Sequence, residues 1–421
     1  MRHRLRMMTA GLCALSLVVA ACGDDEEAED TAAGDTTASS GTTGSSGTTG
    51  SSGTTASSGT TASSGTTASS GTAAAIECDQ PDAVSLQLQW FIQAQFGGYL
   101  AAVDQGIYEK YCLDVSIEEG GVDIVPQQRL ADGEVDFAIA WVPKALQTRE
   151  QGADIVNIAQ IFQRSGTLQV SFKDAGITEP ADFEGKKIGN WGFGNEYEIF
   201  AALSEAELDP AEDVELVQQQ FDMEGLLSRD IDAAEAMTYN EYAQVLEAEN
   251  PETGELYTPD DFNVVSYEDA GVGMLQDAIW ADGAKLESDE AYQDIATRFV
   301  AASIEGWAYC RDDAESCRDI VVAAGSQLGN SHQLWQMNET NKLIWPAEGG
   351  IGVMDEAAWD RTVGIAQETS NLEGATVLTQ APSEDAYTTD IVTAAYELLG
   401  DVDTTGDGFE PIEVTLEARG A

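Results

Sequence analysis

Residues 23–75 consist largely of Gly, Ser, Thr and Ala, and from Ser39 they form six near-copies of Ser-Ser-Gly-Thr-Thr-(Gly/Ala). A chain of this composition cannot bury enough apolar surface to fold. It typically spans on the order of 40 Å from end to end as a flexible coil. We therefore interpret residues 22–77 as a tether, and an adhesive surface segment is the alternative. Folding must then depend on the 344 residues that follow, which are enough for two lobes.

The first 21 residues have the layout of a secretion signal. Arg2, Arg4 and Arg6 precede an apolar stretch at 10–21 that is shorter than a membrane-spanning helix. The stretch ends in Val-Ala-Ala-Cys, which resembles the bacterial lipobox, in which the cysteine is lipidated after cleavage. We therefore expect residues 1–21 to be removed and Cys22 to anchor the protein at the extracytoplasmic face of the cell membrane. A plain secretion signal with a chance cysteine is the alternative.

Charge restricts the partners of the folded part. The chain has 75 acidic and 19 basic residues, a formal net charge of -56. Nucleic acids and anionic lipids both require clustered Lys and Arg, so we expect no nucleic-acid partner. Contact with the membrane should then be made through the lipid anchor only.

Four cysteines remain once the signal is removed and Cys22 is lipidated, and an even number in an exported chain is typical of disulfides. We predict the disulfides Cys78–Cys112 and Cys310–Cys317. The second pair requires a helix break between its members, because seven helical residues span roughly 10 Å. Metal binding by these cysteines is disfavoured, since they have no C-x-x-C spacing and no neighbouring histidine.

The folded part alternates strand and helix patterns. Residues 84–90 alternate apolar and polar side chains, and residues 97–108 have apolar positions at helical spacing. Further strands are predicted at 113–117 and 135–140, and after residue 184 at 186–189, 214–217 and 233–237. The chain turns helical from about residue 284. Repeated alternation predicts an α/β fold with mainly parallel sheets.

We predict two lobes joined by a hinge that the chain crosses twice. The predicted boundaries are 78–183 plus 284–400 for lobe 1, 184–283 for lobe 2 and 401–421 for an acidic C-terminal tail. The tail partly matches a calcium loop, but Ile412 stands where a glutamate ligand is expected, so an acidic turn is preferred.

Ligands of open α/β sheets collect at the carboxyl ends of strands. Four loops that follow predicted strands are rich in aromatic rings, amides and carboxylates, which can stack on a flat ligand and bind its edges. Core packing is the alternative for any single ring. The predicted ligand-binding residues are Trp90, Gln93, Gln95, Tyr99, Trp141, Asn190, Trp191, Asn195, Glu196, Tyr197, Tyr239, Asn240 and Glu241.

Enzyme signatures are weak. Gly192 and Gly194 precede a predicted helix and could hold an anion, but Tyr197 replaces the third glycine of a dinucleotide motif, so a structural turn is the alternative. The folded part has one histidine, His332, which we interpret as a helix-surface residue. We expect no catalytic residues, no metal and no cofactor.

Several stretches between about residues 84 and 280 resemble the binding proteins related to thiamine-pyrimidine synthases. They are Leu-Gln-Trp at 88–90, Gln-Phe-Gly-Gly-Tyr at 95–99, Asp-Gln-Gly-Ile-Tyr at 104–108, Gly-Glu-Val-Asp-Phe at 133–137 and Asp-Phe-Glu-Gly-Lys-Lys-Ile-Gly at 182–189. The stretches at 157–166, 194–198, 219–223 and 237–242 resemble the riboflavin-binding branch.

This resemblance implies a two-lobed periplasmic-binding-protein type 2 fold and a substrate-binding lipoprotein of an ABC importer. It implies riboflavin as the ligand, delivered to an ABC permease, with a formylated or amino pyrimidine precursor of thiamine as the alternative. The fungal synthase relatives carry a cysteine-rich motif and a catalytic histidine, and this sequence has neither, so an enzyme is disfavoured. Aliphatic sulfonates, bound by other relatives, would require positive charge that these loops lack.

Overall fold

The computed structural model describes Ile76, residues 78–192 and residues 194–421. The predicted signal, the lipidation site Cys22 and the predicted tether up to residue 75 lie outside these residues. Ile76, at the end of the predicted tether, donates its backbone N–H to the Lys110 carbonyl at 2.8 Å, so it already contacts the folded part. None of the helices in the described part is both long enough and apolar enough to cross a membrane.

Two five-stranded sheets organise the described residues, in the orders β2-β1-β3-β10-β4 and β7-β6-β8-β5-β9. The strands are β1 (Asp82–Gln87), β2 (Leu113–Glu118), β3 (Phe137–Trp141), β4 (Ile155–Gln160), β5 (Thr167–Phe172), β6 (Lys187–Asn190), β7 (Glu215–Gln218), β8 (Ala233–Met237), β9 (Phe262–Ser266) and β10 (Asp277–Asp282). We call the first sheet with its helices the first lobe and the second sheet with its helices the second lobe. The α/β class is confirmed.

Helices cover the sheets. They are α1 (Gly97–Asp104), α2 (Ile107–Lys110), α3 (Pro126–Ala131), α4 (Val142–Glu150), α5 (Tyr197–Glu205), α6 (Glu224–Leu227), α7 (Glu241–Leu246), α8 (Gly283–Ser288), α9 (Glu290–Asp312), α10 (Ala314–Ala323), α11 (Asn330–Ile344), α12 (Glu356–Glu368) and α13 (Asp390–Leu399). Asp289, Asp313 and Asp355 cap α9, α10 and α12, because their carboxylates accept otherwise unpaired N–H groups of the first turn.

The sheets are mixed rather than mainly parallel, which corrects the sequence prediction. β10 pairs antiparallel with both β3 and β4, and β5 pairs antiparallel with β8 and β9. None of β4, β5, β9 and β10 was predicted. β4 and β5 are buried along their whole length, so they lack the alternating pattern on which the prediction depended.

The lobe boundaries predicted at 184 and 283 are also wrong. β5 belongs to the second sheet and β10 to the first, so the chain crosses between lobes at 161–166 and at 267–276. The amide of Gln276 ties the two crossings together: its Oε1 accepts from Gly166 N at 2.9 Å and its Nε2 donates to Thr167 Oγ1 at 2.8 Å. The hinge is therefore a hydrogen-bonded pair of segments.

The long helix α9 returns to the first lobe, as the sequence predicts. It packs against α1 at close range, because Gly98 and Gly306 face each other across the contact. A Cβ at Gly98 would lie 2.3 Å from the Trp307 ring, and one at Gly306 would lie 2.1 Å from the Gly98 carbonyl oxygen. Glycine is required at both positions by this approach.

Helix α11 contacts both lobes. Trp335 Nε1 donates to the Thr238 carbonyl of the second lobe at 3.0 Å. Met337 packs so closely on α1 of the first lobe that a Cβ at Gly97 would lie 2.9 Å from its sulfur. The lobes are therefore joined by α11 as well as by the two crossings.

The C-terminal segment, residues 401–421, forms hydrogen bonds with helix α11. Ile412 N donates to Asn338 Oδ1 at 2.9 Å, and Glu417 N donates to Ser331 Oγ at 3.0 Å. Within the described residues there is no group of three or more His, Cys, Asp or Glu side chains placed to hold a metal.

Both predicted disulfides are confirmed. The Cα atoms are 6.2 Å apart in Cys78–Cys112 and 5.2 Å apart in Cys310–Cys317. The helix break expected for the second pair occurs at Asp313, between the end of α9 and the start of α10.

The two disulfides should differ in their effect on stability. Replacing Cys78 and Cys112 with serine should lower the free energy of unfolding by about 4 kcal/mol, and replacing Cys310 and Cys317 by about 2 kcal/mol, because the first closes the longer loop. The sequence separations are 34 and 7 residues. Urea unfolding of the two double variants measures this, and equal losses would contradict the loop-length explanation.

Glu198 should make stability depend on pH. Its Oε1 accepts from Met274 N of the second crossing at 2.6 Å, and burial raises the pKa of its carboxyl to about 7. The folded state therefore holds a proton that the unfolded state releases, so stability falls as pH rises from about 4.5 to about 7.

Glu198→Gln should remove the part of this fall that comes from Glu198 and leave the part that comes from the other buried carboxyls, Asp277 and Glu235. At pH 8 the variant should be more stable than wild type by on the order of 2 kcal/mol. Urea unfolding at several pH values measures the effect. Glu205→Gln, an exposed change on the same helix, is the control. Parallel stability profiles for Glu198→Gln and wild type would refute this origin.

Candidate functional site

Loops from the two sheets face each other beside the crossings between the lobes. β3 ends at Trp141, and Asp277 pairs opposite it because β10 runs antiparallel. In the second lobe, β6 ends at Asn190 and β8 at Met237. Side chains of both lobes therefore meet at one edge of each sheet, as in other ligand-binding α/β folds.

Three aromatic side chains, Trp90, Phe221 and Trp191, form a cluster between the lobes, which we call the ring cluster. Trp90 of the first lobe lies 4.9 Å from Phe221 of the second between ring centroids. Phe221 lies 5.9 Å from Trp191 with the ring planes inclined by 24°. Trp191 is buried and Trp90 is half-buried. Phe221 was not among the predicted site residues, although it follows the predicted strand that became β7.

A single lysine reaches across the cleft. Lys144, in the first turn of α4, donates from Nζ to Asn195 Oδ1 of the second lobe at 2.8 Å. The same ammonium lies 4.9 Å from the centroid of the Trp141 ring. Burial lowers the pKa of Lys144 to about 8, and the charges of Glu235, Glu196 and Asp277 oppose that shift. The sequence analysis did not single out Lys144.

Asp277 is a buried carboxylate of the first lobe. Gln89 donates to its Oδ1, and Gln95 Nε2 donates to its Oδ2 at 3.3 Å. Burial raises the pKa of Asp277 to about 7, while these amides and the charge of Lys144 act in the opposite direction. Within the described residues, no Lys or Arg forms an ion pair with it.

Glu235, in the middle of β8, is a buried carboxyl of the second lobe, as Asp277 is of the first. Its Oε2 accepts from the backbone N–H of Trp191 at 2.7 Å. Its Oε1 is buried and has no hydrogen-bond partner among the residues described. Burial raises the pKa of Glu235 well above its usual range.

Other buried polar atoms near the crossings and the cleft also lack partners within the described residues. They are the Tyr99 hydroxyl, the indole nitrogens of Trp141 and Trp191, and the Thr238 hydroxyl. An unpaired buried donor or acceptor costs about 1–3 kcal/mol. A polar ligand is the natural complement of such atoms.

The remaining predicted residues fall into two groups. Gln93 donates to the side chain of Gln95, and this loop is held by Gln333 and Gln336 of α11, whose Oε1 atoms accept from Ala94 N at 2.7 and 2.9 Å. Tyr99 also packs edge-on against Trp307 at 5.6 Å, which is a core contact.

The second group lies in the second lobe. Tyr239 packs edge-on against Phe162 of the first crossing at 6.2 Å. Asn240 donates to Glu241, and Glu241 accepts from Met237 N at 3.0 Å, so these two residues close their own loop. Trp141, Asn195 and Tyr197 line a small gap beside the crossing.

In the turn at Gly192 and Gly194, which the sequence analysis considered as an anion site, the Glu196 carboxylate takes the position of an anion. Gly194 N donates to Glu196 Oε2 at 2.8 Å. The acceptor is thus supplied by the chain, which agrees with a structural turn.

The interpretation of His332 as a helix-surface residue is wrong. His332 is 1% exposed, because α11 packs on the second lobe. Its Nδ1 lies 2.8 Å from Glu247 Oε1 and its Nε2 lies 3.0 Å from Asn240 Oδ1. Asn240 Nδ2 already donates to Glu241, so its Oδ1 is the atom that faces the imidazole.

Two known proteins are similar to this chain in sequence. The chain is 25% identical over 189 residues to a Haemophilus influenzae protein named for thiamine biosynthesis, covering 45% of this chain and 60% of that relative's length. It is 20% identical over 292 residues to the formylaminopyrimidine-binding protein of Halalkalibacterium halodurans, covering 67% of this chain and 84% of that relative.

Solved structures show the fold. A periplasmic sulfonate-binding protein of Methylobacillus flagellatus superposes with a TM-score of 0.56 and 14% identity, covering 80% of this chain and 100% of that one. The alkanesulfonate-binding protein of Xanthomonas axonopodis superposes with a TM-score of 0.50 and 12% identity, covering 78% and 98%. The predicted two-lobed periplasmic-binding fold is thereby confirmed.

A family model described as NMT1/THI5 like matches residues 93–316, more than half of the chain, and includes most of the cleft. The chain belongs to the NMT1/THI5-like family.

Proposed function

We propose that this protein is the extracytoplasmic substrate-binding protein of an ABC-type importer. The ring cluster carries this proposal, because Trp90 comes from one lobe and Phe221 and Trp191 from the other. Rings from opposite lobes enclose a ligand when the lobes close and release it when they open. Reversible capture and release is what a transport receptor requires.

We infer binding rather than catalysis. His332 has both ring nitrogens facing oxygen atoms of Glu247 and Asn240, so it is not placed to activate a nucleophile. The relatives of similar fold named above are binding proteins. A pyrimidine-synthesising enzyme remains the weaker interpretation of the family match.

Riboflavin is the ligand we propose. Its isoalloxazine ring matches the indole and phenyl faces of the ring cluster. Its ribityl hydroxyls are donors that Asp277, Glu235 and the amide of Gln95 are placed to bind. The residues that we propose for ligand contact are therefore the predicted set, extended by Phe221, Lys144, Asp277 and Glu235.

A thiamine-related aminopyrimidine is the second candidate. The relative from Halalkalibacterium halodurans is named for formylaminopyrimidine binding. An aminopyrimidine also presents N–H donors to buried carboxylates, but its single ring would cover less of the ring cluster.

The proposed location is the extracytoplasmic face of the cell membrane, with Cys22 lipidated and residues 22–77 as a tether. The typical reach of this segment, on the order of 40 Å, would let the receptor meet its permease while anchored. Delivery to an ABC permease completes the proposed role.

Purified protein should quench riboflavin fluorescence, because indole rings stacked on the isoalloxazine ring deactivate its excited state. The emission should fall to a plateau at one equivalent, and ligand should raise the melting temperature. Unchanged emission at micromolar protein would eliminate riboflavin. A thermal-shift measurement with a 4-aminopyrimidine then tests the second candidate.

Replacing Trp90 or Trp191 with alanine should weaken ligand binding by more than about 1 kcal/mol, because each substitution removes a stacking face. Titration of both variants measures this. Tyr257→Ala is a matched control, since Tyr257 packs on Phe172 and Phe262 outside the ring cluster. Affinity equal to that of wild type in both tryptophan variants would overturn the proposed site.

A further inference from the structure

Gln219 connects two strands of the second sheet that are not neighbours. It follows directly on β7, and β6 separates β7 from β8 in the sheet. Its side chain nevertheless reaches Glu235 in β8: Nε2 donates to the Glu235 carbonyl oxygen at 2.8 Å, and Oε1 accepts from the Glu235 backbone N–H at 2.8 Å. The amide of Gln219 thus satisfies both backbone groups of Glu235, as a neighbouring strand would.

The side chain of Gln219 crosses β6 at a glycine. A Cβ at Gly189 would overlap with Gln219 Oε1, so a larger residue there and the amide in its present position cannot coexist. The Gly189 carbonyl in turn accepts from Nε2 of Gln169, a buried residue of β5, at 3.0 Å. Glutamine amides therefore take the place of backbone partners on this side of the sheet.

Gln219 also holds the peptide group that leads into Trp191. Its backbone N–H donates to the carbonyl oxygen of Asn190 at 2.8 Å. The N–H of the same peptide group, which belongs to Trp191, donates to Glu235 Oε2 at 2.7 Å. Both polar atoms of this peptide group are therefore held, one by Gln219 itself and the other by the residue whose backbone Gln219 binds.

These hydrogen bonds restrain the direction of the Trp191 ring. A planar peptide group that is bonded through both its oxygen and its N–H cannot rotate without breaking a hydrogen bond. Such a rotation would change φ of Trp191 and so the direction of its Cα–Cβ bond. Phe221, which lies 5.9 Å from the Trp191 ring, follows Gln219 by two residues in the same loop.

We propose that Gln219 is a positioning residue for ligand binding, because it orients the Trp191 ring as a stacking face in the cleft. This inference rests on the proposed function and adds to it a residue that acts through Trp191 rather than by touching the ligand. Stacking requires a defined orientation of the rings. Loss of the Gln219 amide should therefore weaken binding although the indole is still present.

The test is a double-mutant cycle between Gln219 and Trp191. Riboflavin is the probe, and a 4-aminopyrimidine replaces it if riboflavin is not bound. Gln219→Met keeps the length of the side chain and removes both of its hydrogen bonds, and should weaken binding about tenfold. In a Trp191→Ala background the same substitution should weaken binding by no more than about twofold, because the ring through which Gln219 acts is missing. Fluorescence titration or calorimetry measures the four affinities.

Gln244→Ala is the matched control. Gln244 is a half-buried glutamine of the same lobe that lines a separate cavity beside Arg419. Its substitution should leave the affinity within about twofold of that of wild type.

Gly189→Ala disturbs the same contact by a second route, which serves if Gln219→Met does not fold. This variant keeps Gln219 in the chain, but the added Cβ takes the position of its Oε1. Binding should weaken by a factor similar to that of Gln219→Met. Circular dichroism and melting temperature establish which variants are folded.

A measurement without ligand follows Trp191 itself. The emission of a chain minus that of its Trp191→Phe partner gives the contribution of Trp191, which is 4% exposed. In the Gln219→Met chain this difference spectrum should shift to longer wavelength, because a ring released from its position gains contact with water. An unchanged difference spectrum in folded Gln219→Met contradicts the inference.

The outcomes separate the role of Gln219 from the proposed function. Ligand binding by wild type with undiminished affinity in folded Gln219→Met overturns the role of Gln219 and leaves the receptor function standing. An equal loss of affinity with and without the Trp191 ring has the same meaning, because Gln219 would then act on the fold at large. Wild type that binds neither probe overturns the proposed ligands, and the difference spectrum then decides whether Gln219 orients Trp191.

Discussion

The amide of Gln276 holds together the two segments on which both lobes turn. Its oxygen accepts from Gly166 and its nitrogen donates to Thr167, so the two crossings cannot separate without leaving buried polar atoms unpaired. The segments that enter both lobes therefore start from these two crossings. Asp277 is the next residue after Gln276, and the first strand of the second lobe begins at Thr167.

The acidic side chains in the cleft are buried, whereas most of those elsewhere are in contact with water. The chain has 75 acidic residues, and most of them are solvated and contribute to solubility. Asp277 and Glu235 are instead withdrawn from water and held by neutral donors. Buried carboxylates without an ion pair are rare, because their desolvation is costly. Burial raises the pKa of both carboxyls, and this lowers the cost because the neutral form needs no counter-charge.

The sequence predicted the class of fold and the disulfides, but it singled out only some of the residues that the structure brings together in the candidate site. Trp90 and Trp191 were identified because they follow strands with a clear pattern. Asp277 was missed because it begins a strand that runs antiparallel, so the rule about carboxyl ends of strands does not reach it. Glu235 offered a signal that was overlooked: a charged residue within Ala-Ala-Glu-Ala-Met, a strand that is otherwise apolar and wholly buried. Its orientation depends on Trp191, 44 residues away, which no local pattern encodes.

Helix α11 has a mechanical consequence for the motion of the lobes. It is attached to the second lobe through Trp335 and His332, and to the first through Met337. A rigid rod fixed to two bodies allows them to swing only about a line that passes near the rod itself. The axis of opening should therefore run close to α11, and the C-terminal residues, which are hydrogen-bonded to the first turn of the same helix, should lie near that axis and move little when the lobes open.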